Sequence, residues 1–254
     1  MEFIDTHAHL DFADFDLDRE EVIKRAQEAG VTRIVDLGCN LESSQKVVQI
    51  AEKFPGVFAA IGIHPHDAEG CTKKALEDLK KLADNPKVVA IGEVGLDYYR
   101  MKSHQDVQQE TLRRQLRLAK ELNLPVVVHN RDSDEDVIKI LEEEKMEKVV
   151  IHCFSSNWDL AKRVLDQGYM ISFTGVITRS GKETLWEVIG KTSLERIMIE
   201  TDSPFLVPQK FWGQRNEPMY VVETAKKIAE IKNVSLEEVA KKTTKNAIQF
   251  FGLG

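Results

Sequence analysis

Six of the seven histidines, His7, His9, His64, His66, His129 and His152, stand just after short runs of apolar residues, and only His104 lies elsewhere. His7 and His9 are two positions apart, so on an extended chain their imidazoles project to the same side. Two neutral imidazole nitrogens on one face form half of a site for a borderline divalent metal such as zinc. Glu93 follows Ile91-Gly92, His129 follows a run of valines, His152 follows Ile151, and Asp202 follows Ile199-Glu200-Thr201. If those chain segments converge, four histidines, one glutamate and one aspartate suit two divalent cations, with Glu93 as the natural bridging carboxylate. Zinc, manganese, magnesium or a similar ion fits such a donor set.

The chemistry expected of that set is hydrolysis. Water shared by two cations loses a proton near neutral pH, and the cations polarise the oxygen of the group attacked. Asp202 is placed to bind one cation and accept the proton, which makes Asp202 and Glu93 the catalytic candidates. An N-cap is the structural alternative for Asp202, and Glu200 reads as a salt-bridged strand residue rather than a ligand. His64 is the better candidate of the Pro65 pair for touching substrate or supporting a ligand.

Eight apolar runs rich in Val and Ile must position these groups: residues 3–4, 33–37, 57–61, 88–91, 125–128, 149–151, 169–172 and 197–199. They are too short for helices, and they read as strands of a parallel sheet buried on both faces. Amphipathic segments lie between them, for example Val22, Ile23, Ala26 and Ala29, or Leu112, Leu116, Ala119 and Leu122. Gly30, Pro55-Gly56, Asn85-Pro86 and Gly168 supply the stops. Eight strand–helix alternations in 254 residues predict an α/β chain folded as a single (β/α)8 TIM-barrel domain over residues 1–254. The metal site is expected at the C-terminal ends of its strands, where such barrels do their chemistry. Residues 235–250 read as a helix with Ser235 and Glu238 as a capping box that seals the outer ring, and residues 142–144 as a solvated helix end.

Composition narrows the class. With 42% hydrophobic and 30% charged residues, the chain can bury a large core, which excludes intrinsic disorder. Its uncharged stretches are far shorter than the roughly 20 apolar residues a membrane span needs. The N-terminal Met1-Glu2-Phe3-Ile4-Asp5 lacks the basic start and apolar run of a secretion signal, so a cytoplasmic location is expected. Cys39, Cys71 and Cys153 are odd in number and irregularly spaced, which predicts reduced, buried thiols rather than a disulfide framework. A net charge of −7 means that any polyanion must be held by a local cluster or a metal rather than by bulk charge.

Six motifs carry a family resemblance: Asp5-Thr6-His7-Ala8-His9-Leu10-Asp11, Gly62-Ile63-His64-Pro65-His66, Gly92-Glu93-Val94-Gly95-Leu96-Asp97-Tyr98-Tyr99, Pro125-Val126-Val127-Val128-His129-Asn130-Arg131-Asp132, His152-Cys153-Phe154-Ser155 and Glu200-Thr201-Asp202-Ser203-Pro204-Phe205-Leu206. With Arg215-Asn216-Glu217-Pro218 closing the series, the sequence resembles the TatD-like deoxyribonucleases of the metal-dependent hydrolase superfamily. The resemblance implies a TIM-barrel hydrolase that uses His7, His9, Glu93, His129, His152 and Asp202 for two metals and acts on DNA phosphodiesters.

A phosphodiester keeps anionic oxygens through its transition state, so cationic or hydrogen-bonding groups are expected nearby. Arg131, two residues past His129, is one candidate, and Arg215 with Asn216 is another. The structural alternative for Arg215 is an ion pair with Glu217 or Glu200. Tyr98, Tyr99, Phe154, Phe211 and Trp212 lie in the same class of loops; bases could stack on those that are exposed, while Phe154 reads as packing. Duplex DNA is too wide for a barrel mouth, so single strands or ends are the expected partner. An amide, lactone or ester substrate, or a metal-dependent binding protein without turnover, are the rival readings.

Overall fold

The computed structural model describes residues 1–253. Eight parallel strands run in chain order around one sheet: β1 (Phe3–Ala8), β2 (Val31–Leu37), β3 (Val57–Ile61), β4 (Val88–Asp97), β5 (Val126–Arg131), β6 (Val149–Ile151), β7 (Met170–Phe173) and β8 (Ile197–Ile199). Helices α1 (Arg19–Glu28), α2 (Leu41–Lys53), α3 (Lys73–Leu82), α4 (Gln105–Leu122), α5 (Asp134–Glu143), α6 (Trp158–Asp166), α7 (Glu183–Lys191) and α8 (Val221–Lys232) alternate with them, and α9 (Leu236–Phe251) follows. This is the expected (β/α)8 barrel.

The helices form where the apolar spacing requires. α1 buries Val22, Ile23 and Ala26, and α4 buries Leu112, Leu116 and Ala119 against the strands. The side chains of Asn40, Thr72, Asn157 and Ser235 cap helix N-termini by accepting backbone N–H groups. Asn123 ends α4 in the left-handed region at φ 53°. Of the capping box expected at α9, the Ser235 half forms: its hydroxyl accepts from Glu238 N at 3.1 Å.

Three local expectations are corrected. The strands that carry chemistry run past their apolar residues, so His7, Glu93 and His129 lie within β1, β4 and β5 rather than after them. Polar side chains end the hydrophobic signal, yet the backbone ladder continues, with Gly95 opposite His129 and Asp97 opposite Arg131. Glu144 is buried, not solvated, because α4 brings Arg117 to its carboxylate with nitrogens at 2.7 and 3.1 Å. Of the three free thiols, Cys71 is buried while Cys39 and Cys153 are only half-buried.

α9 does more than join the outer ring. Its Ala247 and Phe251, with Leu253 beyond, pack with Ile4, Val35, Val127, Val150 and Met198, which fill the barrel interior. The barrel is a packed core plugged at its amino end, so the open end is the one where the strands finish.

Between β8 and β1 the closure is partly a side-chain structure. Thr6 Oγ1 donates to Ile199 O at 3.0 Å, while Thr201 N donates to Asp5 Oδ1 at 2.9 Å. Above them, Asp202 N donates to His7 O and His9 N to Ser203 O, at 2.9 and 2.8 Å. The seam therefore fixes Asp202 to the backbone between His7 and His9.

Candidate metal centre

Two backbone features shape the carboxyl-terminal end of the barrel. Gly95 has φ 149°, and a Cβ there would lie 1.9 Å from the carbonyl oxygen of His129, so only glycine lets β4 and β5 approach this closely. Asp202 sits at φ 55°, a conformation that Asp tolerates better than most residues and that turns the chain just after β8.

Glu93 divides the site in two. Its Oε2 lies 3.6 Å from both His7 Nε2 and His9 Nε2. Those nitrogens are 3.2 Å from each other, and Asp202 Oδ1 stands 3.6 and 3.4 Å from them. Its other oxygen, Oε1, lies 2.7 Å from His152 Nε2 and 2.8 Å from His129 Nδ1, and those two nitrogens are again 3.2 Å apart. The structure thus brings together all six residues expected to hold metal, with one carboxylate oxygen facing each pair of imidazoles.

The far side of each ring explains which nitrogen faces inward. His9 Nδ1 donates to the carbonyl oxygen of Leu37 at 3.0 Å, so Nε2 carries the lone pair. Asp97 Oδ2 is 3.3 Å from His129 Nε2 and accepts the proton on that side, leaving Nδ1 as donor to a cation; Glu200 Oε1 is 3.3 Å from His152 Nδ1, near enough to favour a proton there, although that nitrogen makes no hydrogen bond among the described residues. His7 Nδ1 is buried without a hydrogen-bond partner. His64 differs. His66 N donates to its Nδ1 at 3.1 Å, which puts the ring proton on Nε2, 3.5 Å from Glu93 Oε1. We read His64 as a hydrogen-bond donor to the site rather than a ligand.

Charges inside the cluster answer one another. Burial would raise the carboxyl of Glu93, but His152, His64 and His129 outweigh it and hold Glu93 well below its usual range. Asp202 is likewise lowered against the effect of burial by His9 and His7. Burial opposes charge on His152, yet Glu93 and Glu200 raise it well above the usual imidazole value, and His9 is raised in the same way by Cys39 and Asp202. Burial lowers His7, and it brings His64 down to about 4.

These groups fit divalent cations. Two lone-pair nitrogens 3.2 Å apart, as His7 faces His9 and His129 faces His152, repel unless positive charge lies between them. A tetrahedral ion with bonds of about 2.0–2.1 Å needs donors about 3.3–3.4 Å apart. The separations of His7 Nε2 and His9 Nε2 from each other, from Glu93 Oε2 and from Asp202 Oδ1, 3.2 to 3.6 Å, bracket that span.

The other expected residues separate. Arg131 is at the mouth, its guanidinium 4.0 Å above the Tyr99 ring and without a carboxylate partner among the described residues. Arg215 is committed elsewhere: it donates to Asp18 at 2.9 and 2.7 Å and to Glu217 at 3.0 Å, and it lies over the Phe15 ring. Asn216 is fully buried, donating to Thr201 O and Phe205 O and accepting from Glu217 N, so it braces the loop that carries Asp202. Phe154 is packed in the core, Tyr98 donates to Asp136, and Phe211 stacks on Tyr220, whereas Tyr99 and Trp212 are exposed. His104 is the residue before α4.

Sequence reasoning missed three neighbours. Asp97 lies four residues past Glu93 in the β4 motif, where strand alternation puts it on the same side as Glu93. Cys39 Sγ lies 3.8 Å from His9 Nδ1, and no spacing marks a lone cysteine. Arg179, over the Trp212 ring, follows β7 in a stretch with no motif.

Residues 4–252 match the model of the family described as TatD related DNase. An uncharacterized metal-dependent hydrolase of Bacillus subtilis, YabD, is 44% identical over 97% of this chain and 98% of its own length. The human protein named Deoxyribonuclease TATDN3 is 36% identical over 98% of this chain and 94% of its own. Among solved structures, the TatD homologue YJJV of Escherichia coli superposes with a TM-score of 0.94 at 32% identity, covering 99% of this chain and 98% of that one.

Proposed function

The chain belongs to the TatD-related DNase family of metal-dependent hydrolases, and from that premise we propose that it is a deoxyribonuclease that hydrolyses phosphodiester bonds in single strands or free ends of DNA. In this reading residues 1–254 are one catalytic unit, with His7, His9, Glu93, His129, His152 and Asp202 holding two divalent cations. The observation that carries it is the division of the Glu93 carboxylate, with one oxygen toward His7 and His9 and the other toward His129 and His152. The DNA substrate draws support from the name of the human relative. We place the reaction in the cytoplasm, which keeps thiols such as Cys39, Cys71 and Cys153 reduced.

Divalent cations bound there would acidify water and offset charge on the non-bridging oxygens of the substrate. The chain supplies the remainder. Asp202 turns Oδ1 to His7 and His9, which leaves Oδ2 to accept a proton from the attacking water. His64 presents the Nε2 proton to an oxygen of the substrate, and Arg131 holds a phosphate oxygen at the rim.

The test is cleavage of an end-labelled single-stranded oligonucleotide by the metal-loaded protein, by Asp202→Asn and by the chelated protein, beside a panel of amides, lactones and carboxylic esters. Metal-dependent cleavage lost in Asp202→Asn supports the reading. Equal cleavage by both proteins points to a contaminating nuclease, and turnover confined to the panel reassigns the substrate.

A further inference from the structure

Three arginines at the open end of the barrel, Arg100, Arg131 and Arg179, have no carboxylate partner among the described residues, although most arginines of this acidic chain do, and two of them, Arg131 and Arg179, lie over exposed aromatic rings. Arg131 ends β5, two residues beyond His129 on the same face of the strand. Its guanidinium lies 4.0 Å from the centre of the Tyr99 ring, which is 63% exposed. Arg179 follows β7. Its guanidinium lies 4.9 Å from the centre of the Trp212 ring, which is 66% exposed. Its Nη2 donates to Val207 O at 2.9 Å, and its Nε is buried with no partner.

The two rings are attached on opposite sides of the barrel, while Arg131 ends β5 and Arg179 follows β7. Tyr99 follows β4 and Trp212 lies in the long loop after β8, and in a ring of eight strands in chain order β4 and β8 are diametrically opposed. Each pair joins a flat, water-exposed ring to a cation that no carboxylate among the described residues neutralises. The guanidinium covers one face of each ring and leaves the other face for a nucleobase, while its edge N–H groups meet the adjoining phosphate. A guanidinium over an exposed ring recurs in both places, whereas an acidic peptide would use the cations and leave the rings idle.

We propose that a single-stranded polynucleotide crosses the barrel mouth between these platforms, with one base stacked on Tyr99 and another on Trp212 while Arg131 and Arg179 hold the flanking phosphates. The assignment rests on the nuclease reading and extends it, because it replaces Arg215 by Arg179 as the second phosphate contact and adds bases to what the mouth recognises. It explains how a chain with a net charge of −7 would hold a polyanion.

The test is fluorescence anisotropy of the metal-loaded protein with a labelled oligothymidylate whose phosphorothioate linkages resist hydrolysis, and with an abasic strand of the same length and linkage. The wild type should bind the oligothymidylate at least about fivefold more tightly for each stacked base. Tyr99→Ala, Trp212→Ala and the equally bulky Trp212→Leu should each lose one share of that preference; all three alter exposed positions, so the core is untouched. Arg131→Gln and Arg179→Gln should weaken both strands and each reduce the salt dependence by about one counterion. Arg196→Gln removes an arginine beside β8 at the amino end of the barrel and should change nothing. Equal affinity for the two strands, or wild-type binding by the ring variants, overturns the platforms even if DNA is cleaved. Normal base-dependent binding without cleavage under any metal supports the platforms and instead removes the nuclease reading.

Discussion

Asp97 Oδ2 stands 3.3 Å from His129 Nε2, on the side of the ring away from Glu93, and 2.7 Å from His66 Nε2. The Asp97 carboxyl is held below its usual range, against burial, by His129, Arg100 N and His66. It therefore acts through His129, fixing which nitrogen faces the cations. Asp97→Asn keeps the shape and removes the charge, so affinity for the cation between His129 and His152 should fall about 10- to 100-fold while the His7–His9 half is unaffected. Chelator competition that resolves two binding steps checks this, and equal loss at both steps would contradict it.

Metal loading should depend on pH in a direction the cluster dictates. His152 and His9 are raised above the usual imidazole value, so they keep protons at higher pH than a free imidazole, and a cation must displace those protons. Affinity should fall as pH falls. It should also still be climbing above about pH 7.5, one unit past the unperturbed imidazole midpoint, where ordinary histidines are about nine-tenths deprotonated. Isothermal titration across that range tests the slope, and a plateau reached below about pH 7.5 would contradict the coupling.

Arg215 ties the loop after β8 to Asp18 and Glu217 and covers Phe15. Arg215→Ala should lower stability by about 1 kcal/mol or somewhat more, given that these ion pairs are only partly shielded from solvent. Turnover on saturating oligonucleotide should be retained. Thermal unfolding beside steady-state kinetics separates the two; a collapse of kcat with an unchanged Tm would return Arg215 to the substrate.

A methyl group at position 95 would meet the His129 carbonyl oxygen, so Gly95→Ala must push β4 and β5 apart. We expect a loss of several kcal/mol, with weaker metal binding, because a left-handed or mirror conformation and a backbone clash add together. Denaturant unfolding measures it, and a variant as stable as the wild type would contradict the reading of this strand pair.

The barrel was legible because eight apolar runs alternate with amphipathic helices, and six histidines at strand exits pointed to one end of it. What escaped notice follows from physics that periodicity does not carry. Strand ends made of His, Glu and Asn look like loops although the ladder continues to Asp97 and Arg131. Whether an arginine is spent or free depends on partners distant in sequence: Arg215 and Asp18 are 197 residues apart. Glu144 reads as surface until Arg117 on the neighbouring helix is beside it. His64 and His129 are the same residue type near the same carboxylate, yet the groups behind them, His66 N and Asp97, turn one into a donor and the other toward a cation.

The central claim is that Glu93 joins two cation sites, and elemental analysis of protein equilibrated with excess zinc, manganese or cobalt and then freed of unbound metal tests it most directly. The wild type and His104→Ala should each hold two ions per chain, and Glu93→Gln at most one, with its fold retained by circular dichroism. A wild type that never exceeds one ion, or a Glu93→Gln protein that still holds two, would contradict the account.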